Sequence, residues 1–585
     1  MDIVFLELRP NSPSRAAALR AALAEQGLVV ADEQVVTVGS ADGLTALARA
    51  VAGQPVPGHP TYDDGTPPNG VGSNAVPRRP VALIPVDLVT NGTVLGAVLD
   101  DPRVLTGALA AESTTGAGGT ELLDVLRIDA VDRPAAAGLV HELDPHDPDG
   151  LLLELTRRLP GAGVEVKPVL MGGYVWARPT DAVEAMAAQQ ALATVPERRV
   201  RLREAARGGD GFFSTFVLRK LSWRLTGPAE RLGLTPNQVT AGSFVLGLIA
   251  AGLIATGDRF PAVIGALLLQ LCVVVDCVDG ELARYRRRFS RFGAWLDAST
   301  DRIKEFAVVF ALALAGAGAD QDLWPLAALA IGVQTFRSLA DLSWSLRRKQ
   351  LEGDVRPEPV HWVTSTENVR VPSGFISSTD TFGVGGWLKR LGHFPIGERF
   401  LLISLGAALW SPKATLIGLN VLGLAAGAYM LTALASRGRS LAGDLVPAVA
   451  ADTGPWLGAA LQRLRGRAAV IAPALVSVIE IAVVYLLSTA VGAQHGAVVM
   501  LVAVIAVAHY LQAYGVREGA ATESQLVIGA DLRMAAFLVL IFLPGLLLPI
   551  DDVEDWVTGG LWALTAVVAV ASVSTSLKSW IGVTR

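Results

Sequence analysis

Two cysteines in 585 residues, Cys272 and Cys277, provide no disulfide framework, and two cysteines alone make no zinc site. No secretory leader is expected either. The start, Met-Asp-Ile-Val-Phe-Leu-Glu-Leu, has no basic n-region and only a short apolar stretch, so the N-terminus is expected to stay in the cytosol. The formal net charge of −5 selects no partner class, because the placement of charge matters more here than its total. No nucleic-acid partner is expected. What the chain has in quantity is apolar: 51% of residues are hydrophobic and the mean hydropathy is +0.45, unusual for a soluble protein. That content is uneven. Residues 1 to 200 read as ordinary globular sequence, whereas most of 238 to 580 consists of runs long enough to span a bilayer. A chain of this length is expected to hold several domains.

Ten spans can be drawn, at roughly 238–256, 260–278, 296–316, 323–343, 397–411, 414–434, 469–491, 496–514, 531–549 and 558–577. Basic loops fall on one side: Arg284 to Arg291, Arg347-Arg348-Lys349, Arg437-Gly-Arg439 and Arg463 to Arg467. The other side receives Thr256-Gly-Asp, Gly316 to Asp322, Gly492 to Gly496 and the acidic Asp551 to Asp555. Ten spans with both termini cytoplasmic then satisfy the positive-inside rule. Before the first span, Phe212 to Leu225 alternates apolar and basic residues at helical spacing, as an amphipathic helix in the membrane interface does.

At the cytoplasmic mouth of the second and third spans the chain places four carboxylates. Asp276 and Asp279 are i and i+3, and Asp297 and Asp301 are i and i+4, so each pair shares a helix face. Charge at a membrane edge is costly, and the usual reason to gather it is a bound cation. Gly280, Ala283 and Gly293 leave room beside the acids for a ligand or a neighbouring backbone. Arg284 to Arg291 forms a basic turn suited to phosphate. A calcium loop of the EF-hand type or a solvated acidic face fits poorly, because the acids face apolar helices rather than alternating along a loop.

The spacing D-x2-D-G-x2-A-R-x8-G-x3-D-x3-D resembles the signature of the CDP-alcohol phosphotransferase (CDP-alcohol phosphatidyltransferase) family, with all eight fixed positions present. Leu234-Thr-Pro236-Asn237-Gln-Val-Thr240 resembles the family's P-N-x-V-T start of its first span. There Asn237 and Thr240 can offer hydrogen bonds to a nucleotide, while Thr235 can equally serve as a helix cap. The resemblance implies a six-span core that moves a phosphorylated alcohol from a CDP-alcohol to an acceptor hydroxyl and releases CMP. Asp276, Asp279 and Asp297 would ligate metal, two Mg2+ or Mn2+ ions being expected from the hard oxygen donors. Asp301 would be the general base and could also touch a metal. Gly280, Ala283 and Gly293 would let the CDP moiety pack closely, and Arg284 would contact its phosphates. Arg399 sits where the family carries an arginine before its last two core helices. Arg337 is an intramembrane charge that suits either a phosphate pocket or snorkelling to the interface. A homodimer is expected from the family alone.

The expected architecture is an α-helical polytopic membrane protein, with a six-span core and four extra spans, behind an N-terminal α/β cytosolic domain. Its parts are residues 1–197, a juxtamembrane helix 198–235, the core 236–435, a cytoplasmic linker 436–468 and an accessory module 469–585. Glu480 and His509 in that module can mark a second pathway, but hydrogen bonding between helices is the expected role. Strand-like Val81 to Val86 and Val166 to Ala177 alternate with helical patterns, an order similar to the sugar-phosphate nucleotidyltransferases fused to this core in bifunctional inositol-phosphate cytidylyltransferase/di-myo-inositol-phosphate-phosphate synthases. Here Arg9 to Arg15 follows the first strand with no G-x-G element to cradle phosphate, which points to a degenerate, non-catalytic domain. Asp87 matches the metal-binding aspartate of that family, although a strand-end Asp also serves as a turn or cap residue. Two rivals stand beside this reading: a silent scaffold or transporter-like protein, and a bifunctional enzyme with an active cytidylyltransferase. The donor, CDP-diacylglycerol or a CDP-polyol such as CDP-inositol, is left open.

Overall fold

A computed structural model describes residues 1–8, 15–25, 28, 30, 32–38, 40–54, 79–101, 104–112, 120–147, 150–170, 175–206, 212–351, 394–436, 452–461, 463–464, 467–520, 529–547 and 550–583. The proline-rich 55–78, the polar 352–393 and the basic 437–439 lie outside them. The chain divides into two compact units, Met1–Ala205 and Ala206–Pro357 with Trp362–Arg585.

The first unit is the expected α/β domain. Strands β1 (Asp2–Glu7), β2 (Asp32–Thr37), β3 (Val81–Pro85), β5 (Gly107–Glu112), β6 (Thr120–Ile128) and β7 (Lys167–Leu170) form one sheet in the order β2-β1-β3-β6-β5-β7; β4 (Val89–Thr90) pairs separately with β8 (Trp176–Ala177). β1 runs parallel to both β2 and β3, whereas β6 is antiparallel to β3 and β5. The period-two alternation of β1 buries both faces. Ile3 and Phe5 pack with Leu19 and Leu23 of α1 (Ala16–Glu25) and Leu95 of α3 (Gly92–Leu99). Val4 and Leu6 pack with α2 (Ala41–Ala52), α4 (Arg133–Val140) and α5 (Leu151–Arg158). Helices α6 (Ala182–Thr194) and α7 (Glu197–Ala205) close the unit, which therefore runs several residues past the boundary expected at 197.

The second unit is helical. A π-turn at Ser214–Leu218 leads into α8 (Arg219–Arg231), and Phe212, Phe216, Val217, Leu221 and Leu225 stay exposed along it, as an interfacial helix requires. Then follow α9 (Pro236–Ala255), α10 (Arg259–Arg286), α11 (Arg291–Ala317), α12 (Trp324–Leu351), α13 (Ile396–Leu409), α14 (Pro412–Ser436), α15 (Gly454–Leu461), α16 (Arg467–Ala490), α17 (His495–Arg517), α18 (Ala530–Leu547) and α19 (Ile550–Val583). Among the described residues six of these, α9, α10, α14, α16, α17 and α19, are long and apolar enough to cross a membrane by length and composition. The chain is a multi-pass membrane protein with an α/β region ahead of it.

The other four expected spans are helices in the expected places. α11 carries Asp297, Asp301, Arg302, Lys304 and Glu305, α12 carries Gln334, Arg337 and Asp341, α13 has only 14 residues, and α18 is an apolar helix of 18 residues. The acidic Asp551 to Asp555, read as a loop, begins α19 instead. That helix of 34 residues is ~51 Å long and exceeds a ~30 Å hydrocarbon core. The linker 436–468 holds the short apolar helix α15. The last spans pack directly on the core: Trp295 Nε1 of α11 donates to Leu511 O of α17 at 3.0 Å, and Arg302 lies 5.3 Å from the Tyr510 ring.

Candidate active site

The start of α9 is fixed by local chemistry. Thr235 and Gln238 form a capping box and Pro236 takes the first turn, so Thr235 does cap the helix. Seven residues then put Thr240, Ser243 and Gly247 on one face. α10 runs two turns past its apolar stretch, carries the first half of the signature, and ends where Arg287 adopts φ 52°, in the left-handed region. The backbone N–H of Arg288 donates to Ala283 O at 3.1 Å to close that end. α11 restarts at Ser290, whose hydroxyl accepts from Gly293 N at 3.1 Å.

Glycine at 293 has a packing reason: a Cβ there would lie 2.8 Å from Asn237 Oδ1, so the first turns of α9 and α11 touch through this pair. A Cβ at Gly280 would lie 3.2 Å from Arg284 Nη1, because the guanidinium folds back along α10. Ala283 is buried in the same helix.

The acids converge as their spacing predicts, in two groups. Asp276, Asp279 and Asp297 each offer a carboxylate oxygen within 4.8 Å of the others. Thr240 Oγ1 donates to Asp279 Oδ2 at 2.6 Å, and Ser243 Oγ donates to Asp276 Oδ1 at 2.8 Å. Three like charges at such separations repel by about 3 kcal/mol per pair at an effective dielectric of ~20. A hard divalent cation on three converging carboxylates removes that repulsion, so the donor set fits Mg2+ or Mn2+. Asp301 stands apart from this trio: its Oδ1 is 2.8 Å from Lys304 Nζ, which also lies 2.6 Å from Asp276 Oδ1.

Lys304, Ser243 and Glu281 were not singled out from the sequence. Their signal is the one that marked the aspartates, a polar group within an apolar helix, and Lys304 is also i+3 from Asp301. Glu281, fully buried, accepts from Ser222 and Thr226 of α8 and pairs with Arg219 at 3.3 Å, tying the interfacial helix to α10.

Arg337 and Arg399 gather one turn deeper, around Glu305, which follows Asp301 by four residues on α11. Arg399 Nε donates to Glu305 Oε1 at 2.6 Å and Nη1 to Phe394 O at 2.7 Å; Arg302 Nη1 reaches Glu305 Oε2 at 2.6 Å. Arg337 Nη1 donates to Gln334 Oε1 at 3.2 Å, and both arginines line one small cavity with Glu305, Phe306 and Ile403. In the C-terminal spans Glu480 and His509 do bond between helices: His509 Nε2 is 2.8 Å from Glu480 Oε2, and Arg533 and Asp452 complete a buried four-residue network.

In the first unit Asp87 lies in a turn, with Arg178 Nε 3.1 Å from its Oδ1 and Nη2 3.1 Å from its Oδ2. Most of Arg9 to Arg15 falls outside the described residues.

Two helices presenting this acid motif beside the capped start of a third correspond to a known class. Residues 233–354 match the family model described as CDP-alcohol phosphatidyltransferase, and this stretch is a domain of that family. Similar curated proteins carry the same theme. The "Bifunctional IPC transferase and DIPP synthase" of Aquifex aeolicus is 41% identical over 118 residues, 20% of this chain and 26% of the relative. Its namesake in Rubrobacter xylanophilus is 33% identical over 236 residues, covering 40% of this chain and 45% of that protein. The "Phosphatidylinositol phosphate synthase" of Mycobacterium marinum is 40% identical over 102 residues, 16% of this chain and 41% of the relative. The chain thus spans less than half the length of each of these three.

Proposed function

We propose that this protein is a membrane transferase that moves a substituted phosphate group from a CDP-alcohol to an acceptor hydroxyl, releasing CMP, in phospholipid or phosphodiester synthesis. The observation that carries the reading is the convergence of Asp276, Asp279 and Asp297 within 4.8 Å beneath a capped helix start. These three carboxylates would hold Mg2+ or Mn2+, which when bound neutralises pyrophosphate charge and orients the attack. Thr240 and Ser243 fix the carboxylates by hydrogen bonds. Asp301 takes the acceptor's proton as the acceptor oxygen bonds to the phosphorus attached to the alcohol and the bond from that phosphorus to CMP breaks. Gly280, Ala283, Gly293 and Asn237 shape the nucleotide side, with Arg284 on its phosphates. Arg337 and Arg399, one turn beyond Asp301, are assigned to an anionic acceptor. The basic loops support a cytoplasmic position for this site and both termini.

The relatives' names direct the choice of alcohol toward inositol-type acceptors or donors. The homodimer expected from the resemblance belongs to the same proposal, with sedimentation in detergent as its check. For the first unit, the capture of Asp87 by Arg178 supports a degenerate domain; the bifunctional names of two relatives favour an active cytidylyltransferase instead. CTP turnover with inositol phosphate distinguishes the two. The transferase reading is tested by Mg2+-dependent CMP release from CDP-diacylglycerol and CDP-inositol, native protein against Asp301→Asn. Release by the native protein and its loss in the variant support the assignment. No release from either donor, or equal release by the variant, leaves the silent-scaffold reading standing.

A further inference from the structure

The ammonium of Lys304 is not a passing neighbour of the acids but occupies a built seat. Lys304 is 1% exposed, and its Nζ meets Asp276 Oδ1 at 2.6 Å, Asp301 Oδ1 at 2.8 Å and Ser243 Oγ at 2.9 Å. An ammonium has three N–H donors and no acceptor, so these three oxygens satisfy it completely. The stem is accommodated as carefully as the head. A Cβ at Gly247 would lie 2.9 Å from both Lys304 Cγ and Cδ, so only glycine on α9 lets the chain pass.

Two-metal sites hold their ions ~3.5–4 Å apart, usually across a shared carboxylate. With the first ion among Asp276, Asp279 and Asp297, a second ion sharing the Asp276 carboxylate would lie between Asp276 and Asp301. That is where Lys304 Nζ sits. Hydrogen bonds from Lys304 also tie Asp301 to Asp276 through the ammonium.

We infer that this site takes a single divalent cation, on Asp276, Asp279 and Asp297, and that the Lys304 ammonium replaces the second ion and positions Asp301. The inference rests on the transferase reading only for the identity of the cation's substrate; the count of ions is independent of turnover. Lys304 is a positioning residue in this scheme, since it acts through Asp276 and Asp301.

The test is Mn2+ titration of the purified full-length protein in detergent, with bound and free ion counted by electron paramagnetic resonance. One Mn2+ per chain is expected for the native protein and for Asp301→Asn, with affinity changed by less than ~3-fold in the latter. Asp297→Asn should lose at least ~100-fold in affinity, as a first-sphere ligand does relative to the 10–100-fold typical of outer partners. Lys304→Met should bind a second, weaker Mn2+; Lys304→Gln repeats the measurement in a side chain that can keep the Asp276 hydrogen bond. Two ions on the native protein, or one ion on both Lys304 variants, overturns the inference. CMP release accompanied by two bound ions rejects this inference alone. One bound ion without CMP release from any donor rejects the transferase reading alone, and no Mn2+ binding rejects both.

Discussion

Removing the Glu281 carboxylate should detach the interfacial helix α8 from the helix that carries half the site. Glu281 is fully buried and receives Ser222, Thr226 and Arg219, all from one side. At the 3.3 Å separation of Arg219 Nη1 from Oε1, a unit pair attracts by ~5 kcal/mol at an effective dielectric of ~20, before desolvation is counted. Taking away one partner of such a buried pair costs about 3–5 kcal/mol, because the other charge stays behind. The hydroxyls respond unequally. Thr226 Oγ1 can fall back on Ser222 O at 3.1 Å, whereas Ser222 Oγ has Glu281 as its acceptor. Glu281→Ala should therefore lower the melting temperature by at least ~5 °C. Glu281→Gln keeps an acceptor oxygen and the volume, and should lose less than half as much. A thiol-reactive dye reads this directly, since Cys272 is buried and Cys277 half-buried until the core opens. Glu281→Ala melting within ~1 °C of the parent would refute the docking role.

Three further outcomes follow from the same contacts. Thr240→Val removes a charge-assisted hydrogen bond worth about 1.5–3 kcal/mol, so kcat/KM for CMP release should fall ~10- to 100-fold, while Thr240→Ser stays within ~3-fold. Chelation with EDTA should abolish CMP release, and added Mg2+ or Mn2+ should restore it; activity that survives chelation contradicts a metal held by the three acids. Arg178→Met takes the guanidinium away from buried Asp87 and should destabilise the first unit by about 3–5 kcal/mol, seen as faster limited proteolysis. CMP release per intact molecule should be unchanged, because the transferase residues lie in the other unit.

The parts of this molecule that were legible in the sequence are those that short-range periodicity controls. Asp276 with Asp279 and Asp297 with Asp301 share faces because a helix repeats every 3.6 residues, and the structure keeps both pairs on helices. The apolar runs gave helix positions to within a few residues, except that α10 extends through Arg286, α12 through Leu351, and α19 absorbs an acidic stretch taken for a loop. Partner choice between helices was not legible. Nothing local says that Glu281 meets Ser222, that Lys304 reaches Asp276, or that Glu305 collects Arg399; each depends on which helices become neighbours. The sheet shows the same limit. Val81 to Pro85 reads as a strand from its apolar run, but its parallel pairing with β1 and antiparallel pairing with β6 come from long-range topology. The contact of Leu511 with Trp295, a residue inside the signature, likewise depends on which helices become neighbours.

The central claim is most directly tested by following both products of a single reaction. Purified protein with Mg2+, a CDP-alcohol and an acceptor alcohol should release CMP and form the matching phosphodiester in equal amounts, and Asp279→Asn should reduce both by at least ~100-fold. CMP formed without a phosphodiester, or equal yields from native and variant protein, would contradict transfer at these aspartates.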